Sequence, residues 1–183
     1  MESEQSAARI GTLSPLVHLP TIITDTREQR PLVFENLASE VGTLQSGDYS
    51  VKCLEHDFSI ERKSVPDLCQ SLTRGRERFE RELHRLRGFD FARILIVGSP
   101  HEVQVHAQNS KAIFSSINAM ETRWRVPVVW EPSPEIASRL VERWAWFFWR
   151  ERTAIGKTAG PCPIPGAVVN GHTAGISNQK TAP

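Results

Sequence analysis

The chain has 183 residues, enough for one ordinary domain with terminal segments. Hydrophobic residues make up 39% of it and no apolar run approaches a membrane span, so a membrane protein is excluded. The formal net charge is only +1, so any affinity for a polyanion must come from a local patch. The N-terminus lacks a basic segment followed by an apolar one, and we therefore expect an intracellular protein.

The two ends of the sequence differ in composition from its middle. Residues 1–19 mix Ser, Ala, Glu and Pro without a sustained period, which predicts a flexible N-terminal arm. In residues 151–183 Thr, Ala, Gly, Pro, Ser and Asn dominate and aromatic residues are missing, which predicts a disordered tail. Residues 20–150 are therefore the predicted folded domain.

Strand and helix patterns alternate along this domain, which favours an α/β fold. Residues 31–40 predict a turn followed by a short helix, and the apolar run at 91–98 predicts a strand buried on both faces. The other predicted strands are 21–25, 41–45 and 126–130, and the predicted helices are 64–72, 76–87, 110–124 and 134–150.

Two strand-like runs flank a short polar break within residues 47–67, a pattern typical of a β-hairpin. Successive side chains on a strand point to opposite faces of the sheet. If the apolar sets of both runs pack on one core, Asp48, Glu61 and Lys63 lie together on the other face. That arrangement requires cross-strand partners whose residue numbers have an odd sum. A two-residue loop within residues 55–57 meets this requirement.

Two carboxylates and an amine on one strand face are the groups that metal-dependent phosphodiester hydrolysis uses. The oxygens of Asp48 and Glu61 suit Mg²⁺ or Mn²⁺. Such a metal polarises a phosphate and activates a water, and Lys63 can position that water or offset charge. The alternative interpretation is an exposed strand face that carries ordinary charges, which is the commoner origin of a short Glu-x-Lys match.

The same stretch resembles a known family. Gly47-Asp48, then Glu61-Arg62-Lys63, three further residues and Asp67 match the GD-x(n)-ERK-x3-D signature of the XPF-type structure-specific endonucleases. The resemblance implies a restriction-endonuclease-like α/β domain, with a mixed central sheet flanked by helices. Further segments similar to this domain, in the family's order, are 25–30, 71–76 and 126–130 with Ser133.

The resemblance also implies roles for the residues of the motif. Asp48 and Glu61 hold a divalent ion, Mg²⁺ or Mn²⁺, with Asp25 and the carbonyl of Arg62 as further ligands. Lys63 orients the attacking water and faces the charge that develops on the phosphate. Because neighbouring carboxylates favour its charged form, a role for this lysine as general base is less well supported than the metal's effect on the water.

Several other residues belong to the predicted site. The resemblance implies a supporting or phosphate-facing role for Arg27 and Glu28. Asp67 completes a pattern close to a capping box and is also part of the family motif. Arg74 and Arg76 flank a glycine just beyond the site, and we predict that they contact DNA phosphates. The remaining arginines of residues 76–87 alternate with glutamates, which predicts a solvated, salt-bridged helix face.

The last predicted helix is apolar on more than one side. One apolar face is predicted to consist of Ile136, Leu140, Trp144 and Phe147 or Phe148, while Trp146 and Trp149 lie on another face. Exposed aromatic clusters often mark interfaces, and the resemblance favours a homodimer or heterodimer formed through this helix. Packing against the N-terminal arm and stacking on DNA bases are the alternatives.

The predicted function is divalent-metal-dependent endonucleolytic cleavage of DNA. The resemblance implies branched or flap substrates and a role in DNA repair or recombination, in the cytoplasm of a prokaryote or the nucleus of a eukaryote. Many family members carry a tandem helix-hairpin-helix module that this sequence does not show. The alternatives are a non-catalytic DNA-binding or scaffolding subunit of a nuclease dimer and a nuclease without preference for branched DNA.

Overall fold

A computed structural model describes residues 19–154 of the chain. Residues 1–18 and 155–183, which hold nearly all of the predicted arm and tail, lie outside the described residues. The described part is a six-stranded mixed sheet with α-helices on both faces, as the α/β prediction requires. None of the helices in residues 19–154 is both long and apolar enough to cross a membrane.

The sheet has the strand order β2-β1-β3-β4-β5-β6. β1 pairs with β3 and β3 with β4 in antiparallel fashion, while β1–β2, β4–β5 and β5–β6 are parallel pairs. The strands are β1 (Ile22–Asp25), β2 (Ser39–Gly42), β3 (Tyr49–Val51), β4 (Phe58–Ser64), β5 (Phe91–Val97) and β6 (Val128–Glu131). The helices are α1 (Val65–Leu72), α2 (Arg76–Leu86), α3 (Val103–His106), α4 (Ser110–Trp124) and α5 (Pro134–Ala154), with a 3₁₀ turn at Pro100–Glu102.

Alternation along the central strands divides the core into two. Ile94 and Ile96 of β5 pack against α1, α2 and α4, whereas Leu95 faces α5 together with Phe58 and Ile60 of β4. All five side chains are essentially inaccessible to solvent. Because the odd positions of β4 face away from the α5 core, Glu61 and Lys63 lie on the sheet face that carries α1 and α2.

The hairpin prediction is confirmed in the odd parity of its register and wrong in its loop. Tyr49 lies opposite Ile60, so the sum of partner numbers is odd, as predicted. However, β3 ends at Val51, and six residues rather than two connect it to β4. Leu54 is buried within this connection, and backbone bonds to it close successive turns, so burial of an apolar side chain outweighs the tighter loop.

The segment before the hairpin also differs from its prediction. Residues 31–40 form no helix, and the strand predicted at 41–45 is instead β2 at 39–42, paired in parallel with β1. Tertiary partners take up the amides that a helix would use. The Leu32 amide donates to the Tyr49 hydroxyl at 2.9 Å, and the amides of Asn36 and Leu37 donate to the Glu142 carboxylate of α5 at 2.6 and 3.1 Å.

Of the residues predicted to form one apolar face of α5, Trp144 and Phe148 pack against the core. The fully buried residues are Ala137, Val141 and Ala145, whereas Ile136 and Phe147 are 46% and 44% exposed. Small side chains on the buried face allow the helix to approach the sheet closely, and the larger aromatic rings then lie along its flanks. The helix continues four residues past its predicted end.

Candidate active site

The turn before β3 depends on a glycine. Gly47 has a φ of +79°, in the left-handed region that disfavours other residues. A Cβ atom at this position would collide with Ser59 Oγ and lie 3.0 Å from the Ile60 carbonyl oxygen. The close approach that Gly47 permits places Asp48 directly beside β4.

A backbone hydrogen bond orients the Asp48 carboxylate. Its Oδ2 accepts from the Arg62 amide at 2.7 Å, and the Asp48 amide donates to the Ile60 carbonyl at 2.8 Å. The carboxylate thus continues the β3–β4 ladder in place of a strand carbonyl. A side chain held in this way has one defined orientation toward the α1–α2 side of the sheet.

Glu61 and Lys63 form a short ion pair beside it. Lys63 Nζ lies 2.7 Å from Glu61 Oε1 and 3.8 Å from Glu82 Oε2, and it stands 4.9 Å from the centre of the Phe79 ring. Glu61 is only 6% exposed. The lysine is therefore held among two carboxylates and an aromatic face, which fixes its position in the cleft.

In the cluster of Asp48, Glu61, Lys63 and Glu82, three carboxylates surround one ammonium group. Burial raises the pKa of Asp48 to about 6, and the nearby charges of Glu28 and Glu82 act in the same direction. Burial, followed by the charge of Asp48, also raises the pKa of Glu61 well above its usual range. Although burial lowers the pKa of Lys63, the carboxylate of Glu61 outweighs it and the net direction is upward. The cluster favours bound protons or an added cation.

These side chains line an open cleft of about 370 Å³ between the sheet and the first two helices. The cleft includes four carboxylates, and polar groups dominate its wall. Its charged lining residues are Arg27, Asp48, Glu61, Lys63, Asp67, Arg78, Glu82 and Arg85. The structure thus brings together Asp48, Glu61, Lys63 and Asp67 from the family motif, together with Arg27.

Asp25 lies behind the cleft and does not line it. It is 2% exposed, and both carboxylate oxygens are engaged. Oδ1 accepts from the amide and Nε of Arg27 at 2.8 and 2.6 Å, and Oδ2 accepts from the Leu44 amide at 2.7 Å. Burial opposes ionisation, but these bonds hold the pKa of Asp25 below its usual value. In this structure the Asp25 carboxylate fixes Arg27 at the cleft rim.

Glu28 and Arg62 form a supporting pair on the other face of β4. Arg62 Nη1 lies 3.5 Å from Glu28 Oε2, and both side chains are largely buried. Arg62 Nε is buried without a hydrogen-bond partner among the described residues. The side chain of Arg62 therefore points away from the cleft, and its contact with the site is the backbone amide that holds Asp48.

Three predicted residues at the α1 end occupy different surroundings. Asp67 lines the cleft and lies in the first turn of α1, where Ser64 is the N-cap: the Asp67 amide donates to Ser64 Oγ at 3.3 Å, and Ser64 Oγ donates to the Asp67 carboxylate at 2.6 Å. Arg74 and Arg76 are exposed and line a second groove instead of the cleft. The structure therefore separates this arginine pair from the acids.

The sequence interpretation missed a polar face of α2. Arg78, Glu82 and Arg85 line the cleft, although they were assigned to a solvated, salt-bridged surface. Glu82 Oε2 lies 3.8 Å from Lys63 Nζ, and the Glu82 carboxylate is one of the groups that raise the pKa of Glu61. Their spacing of i, i+4, i+7 beside the apolar stripe that begins at Phe79 is a signal that could have grouped them.

Asp48 and Glu61 suit a hard divalent cation. Within residues 19–154, no group of three or more His, Cys, Asp or Glu side chains could hold a metal ion. Mg²⁺ usually binds through one or two carboxylates together with water and substrate phosphates, so this pair is sufficient in kind. Burial chiefly raises the pKa of both acids, so their ionised forms are costly in this site, and a bound cation would offset that cost.

The six-stranded mixed sheet flanked by helices defines an α/β domain of the restriction-endonuclease-like class. The chain belongs to the ERCC4 domain family of DNA nuclease domains, because the family's sequence profile matches residues 24–143, more than half of its length. That match includes Asp25, Asp48, Glu61, Lys63 and Asp67. A comparison with curated proteins found no match.

Solved structures agree on the fold. XPF from Aeropyrum pernix is 20% identical, with a TM-score of 0.62, over 75% of this chain and 69% of that one. XPF from Aeropyrum pernix in complex with DNA is also 20% identical, with a TM-score of 0.60, over 72% of this chain and 66% of the other. At this level of identity the likeness establishes a shared architecture.

Proposed function

We propose that this chain is a divalent-metal-dependent endonuclease that hydrolyses DNA phosphodiester bonds at branched or flap structures, in DNA repair or recombination. The observation that carries the proposal is the meeting of Asp48, Glu61 and Lys63 in one open cleft. Arg27, Arg78 and Arg85 line the same cleft and offer guanidinium groups suited to phosphate oxygens.

In this proposal Asp48 and Glu61 hold Mg²⁺ or Mn²⁺. The ion supplies Lewis-acid polarisation of the phosphate and lowers the pKa of water. The Arg62 amide keeps the Asp48 carboxylate oriented, and the main-chain carbonyl of Arg62 is proposed as a further ligand. Asp25 supports the site by fixing Arg27, and it becomes a direct ligand only by giving up hydrogen bonds from Arg27 or Leu44.

Lys63 acts in this scheme as a charged donor and not as a general base. Its raised pKa keeps the amine protonated at neutral pH. The ammonium group donates hydrogen bonds that orient the attacking water, and it stabilises the negative charge that develops on the phosphoryl oxygens. Glu61 and Glu82 hold the ammonium group in position from two elements, β4 and α2.

We also propose that the chain dimerises through α5. Ile136 and Phe147 are exposed on this helix, and an apolar groove of about 500 Å³ runs beside Phe147 and Trp146 toward Leu19. Exposed aromatic groups beside such a groove are typical of protein interfaces. Sedimentation of the wild type and of Phe147→Asp tests this, because a dimer through this face dissociates when a charge is added.

Cleavage assays with flap, fork and linear duplex DNA test the function. We expect cleavage in Mg²⁺ or Mn²⁺, none in chelator, and loss of activity in Asp48→Asn and Glu61→Gln. Glu77→Gln is the matched control, since Glu77 is an exposed α2 carboxylate that lines neither the cleft nor the second groove. DNA binding without cleavage by the wild type would favour the scaffolding alternative, and equal rates on all substrates would favour a nuclease without branch preference.

A further inference from the structure

A second groove lies on the other side of α1 from the cleft. It has a volume of about 720 Å³ and runs between α1, the turn that precedes α2, and the start of α4. The buried side chains of Cys69, Leu72 and Ile113 are part of its lining. Its polar lining residues are Gln70, Thr73, Arg74, Arg76, His106, Gln108, Asn109 and Ser116.

The groove differs from the cleft in charge. Four carboxylates and four cationic side chains line the cleft, whereas no carboxylate lines the groove, which presents two guanidinium groups, a histidine and three side-chain amides. An anionic ligand therefore meets no like charge along this wall. The groove also lacks aromatic residues. Without stacking surfaces it suits a phosphate backbone better than bases.

Arg74 is available to such a ligand. It is exposed and makes no hydrogen bond or ion pair within residues 19–154. Arg76, by contrast, is held in place, because its Nε lies 3.1 Å from Glu80 Oε1 and its Nη1 lies 3.4 Å from Ser116 Oγ. One arginine is thus oriented by its neighbours and the other is uncommitted, and both face the same groove.

The groove and the cleft are continuous. Gln70 on α1 lines both of them. At the turn before α2, Gly75 lines the cleft while Arg74 and Arg76 on either side of it line the groove. A chain of phosphates that leaves the cleft across Gln70 therefore enters the groove without crossing an acidic side chain of its lining.

We propose that the groove binds the single DNA strand that flanks the scissile phosphate on one side, with Arg74 contacting a phosphate of that strand. The proposal rests on the proposed function, because it takes the cleft as the site of the scissile bond. It adds a second binding site that recognises backbone without regard to base sequence. Gln108 and Asn109, at the start of α4, supply hydrogen-bond donors on the far wall.

The experiment varies the length of the DNA arms and the residues that line the groove. Single-stranded arms of about 2 or about 12 nucleotides are placed on either side of the cleaved bond, so that only a long arm on one side can reach the groove. Arg74→Ala removes the uncommitted cation, and Gln108→Glu adds the only carboxylate of the lining. Arg81→Ala is the control, since Arg81 is an exposed α2 arginine that lines neither groove.

We expect Arg74→Ala to raise KM about 3- to 10-fold, at unchanged kcat, for a long arm on one side only, and to reduce the salt slope of binding by about 1. Gln108→Glu should raise the KM of the same substrates further. Arg81→Ala should change neither KM nor the salt slope of binding. Equal effects of Arg74→Ala and Arg81→Ala at every arm length would overturn the proposal that the groove binds the flanking strand. Affinities measured by anisotropy in an Asp48→Asn background give the same comparison even if the wild type cleaves nothing, so the two proposals fail separately.

Discussion

Neutralising Asp48 should abolish cleavage and yet stabilise the metal-free protein. The carboxylate has a pKa of about 6 instead of its ordinary 3.8, chiefly because of burial. The folded state therefore binds more protons than the unfolded chain between about pH 4 and about pH 6. The free energy of unfolding therefore falls as the pH rises through the pKa that Asp48 has in the folded state. Above it, the ionised side chain costs the folded state on the order of 3 kcal/mol.

Asp48→Asn removes this cost and keeps the shape of the side chain. The amide oxygen can still accept the hydrogen bond that the Arg62 amide donates. We expect a gain in unfolding free energy of about 2–3 kcal/mol near pH 8, or about 6–10 °C in Tm. The gain should shrink as the pH falls and approach zero near about pH 3, where Asp48 is protonated in both states.

The assay is thermal and urea unfolding in chelator across that pH range, with Glu77→Gln as the control. Mg²⁺ or Mn²⁺ should raise the Tm of the wild type and leave that of Asp48→Asn nearly unchanged, because ligand binding stabilises only the form that holds it. If Asp48→Asn is neutral or destabilising near pH 8, or if its gain is the same at every pH, the electrostatic account of the cleft is refuted.

Three further outcomes follow from the same contacts. Glu82→Gln should lower kcat at least about tenfold and shift the acidic limb of the pH–rate profile to lower pH. The reason is that Glu82 helps to raise the pKa of Glu61 and contacts Lys63. An unchanged profile would argue against a role for this residue. Gly47→Ala should cost about 2–4 kcal/mol of unfolding free energy, since it adds strain at positive φ and a clash with Ser59, and wild-type stability by urea unfolding contradicts that account. Glu142→Ala should destabilise by about 2–3 kcal/mol, because the amides of residues 36–37 lose a buried acceptor, whereas Glu135→Ala on the exposed first turn should change little; equal effects of the two variants would be the contrary result.

The placement of the cleft side chains on β4 could be predicted from the sequence because strand periodicity is local. Glu61 and Lys63 are two residues apart and must share a face, and burial of Phe58 and Ile60 decides which face that is. The odd register that brings Asp48 to the same side follows from the same alternation. The six-residue connection was not predictable, because Leu54 folds back into a core that the local pattern does not describe.

The placement of the α2 residues and of Asp25 relative to the cleft required the tertiary structure. The charges of α2 looked like a solvated face, yet Glu82 lies beside Lys63 because α2 packs across the sheet at that position. Asp25 stood in a motif as an expected ligand, but the fold surrounds it with donors from Arg27 and Leu44. The buried face of α5 likewise depends on how closely small side chains let the helix approach.

Taken alone, the order of residues determined most of the strands, the acidic pair with its lysine, and the family to which the chain belongs. Tertiary packing decided which arginines line the cleft, which line the second groove, and how far each carboxylate is removed from water. The physical reason is that periodicity and turn chemistry act over a few residues, whereas burial and electrostatic fields come from segments far apart in the chain.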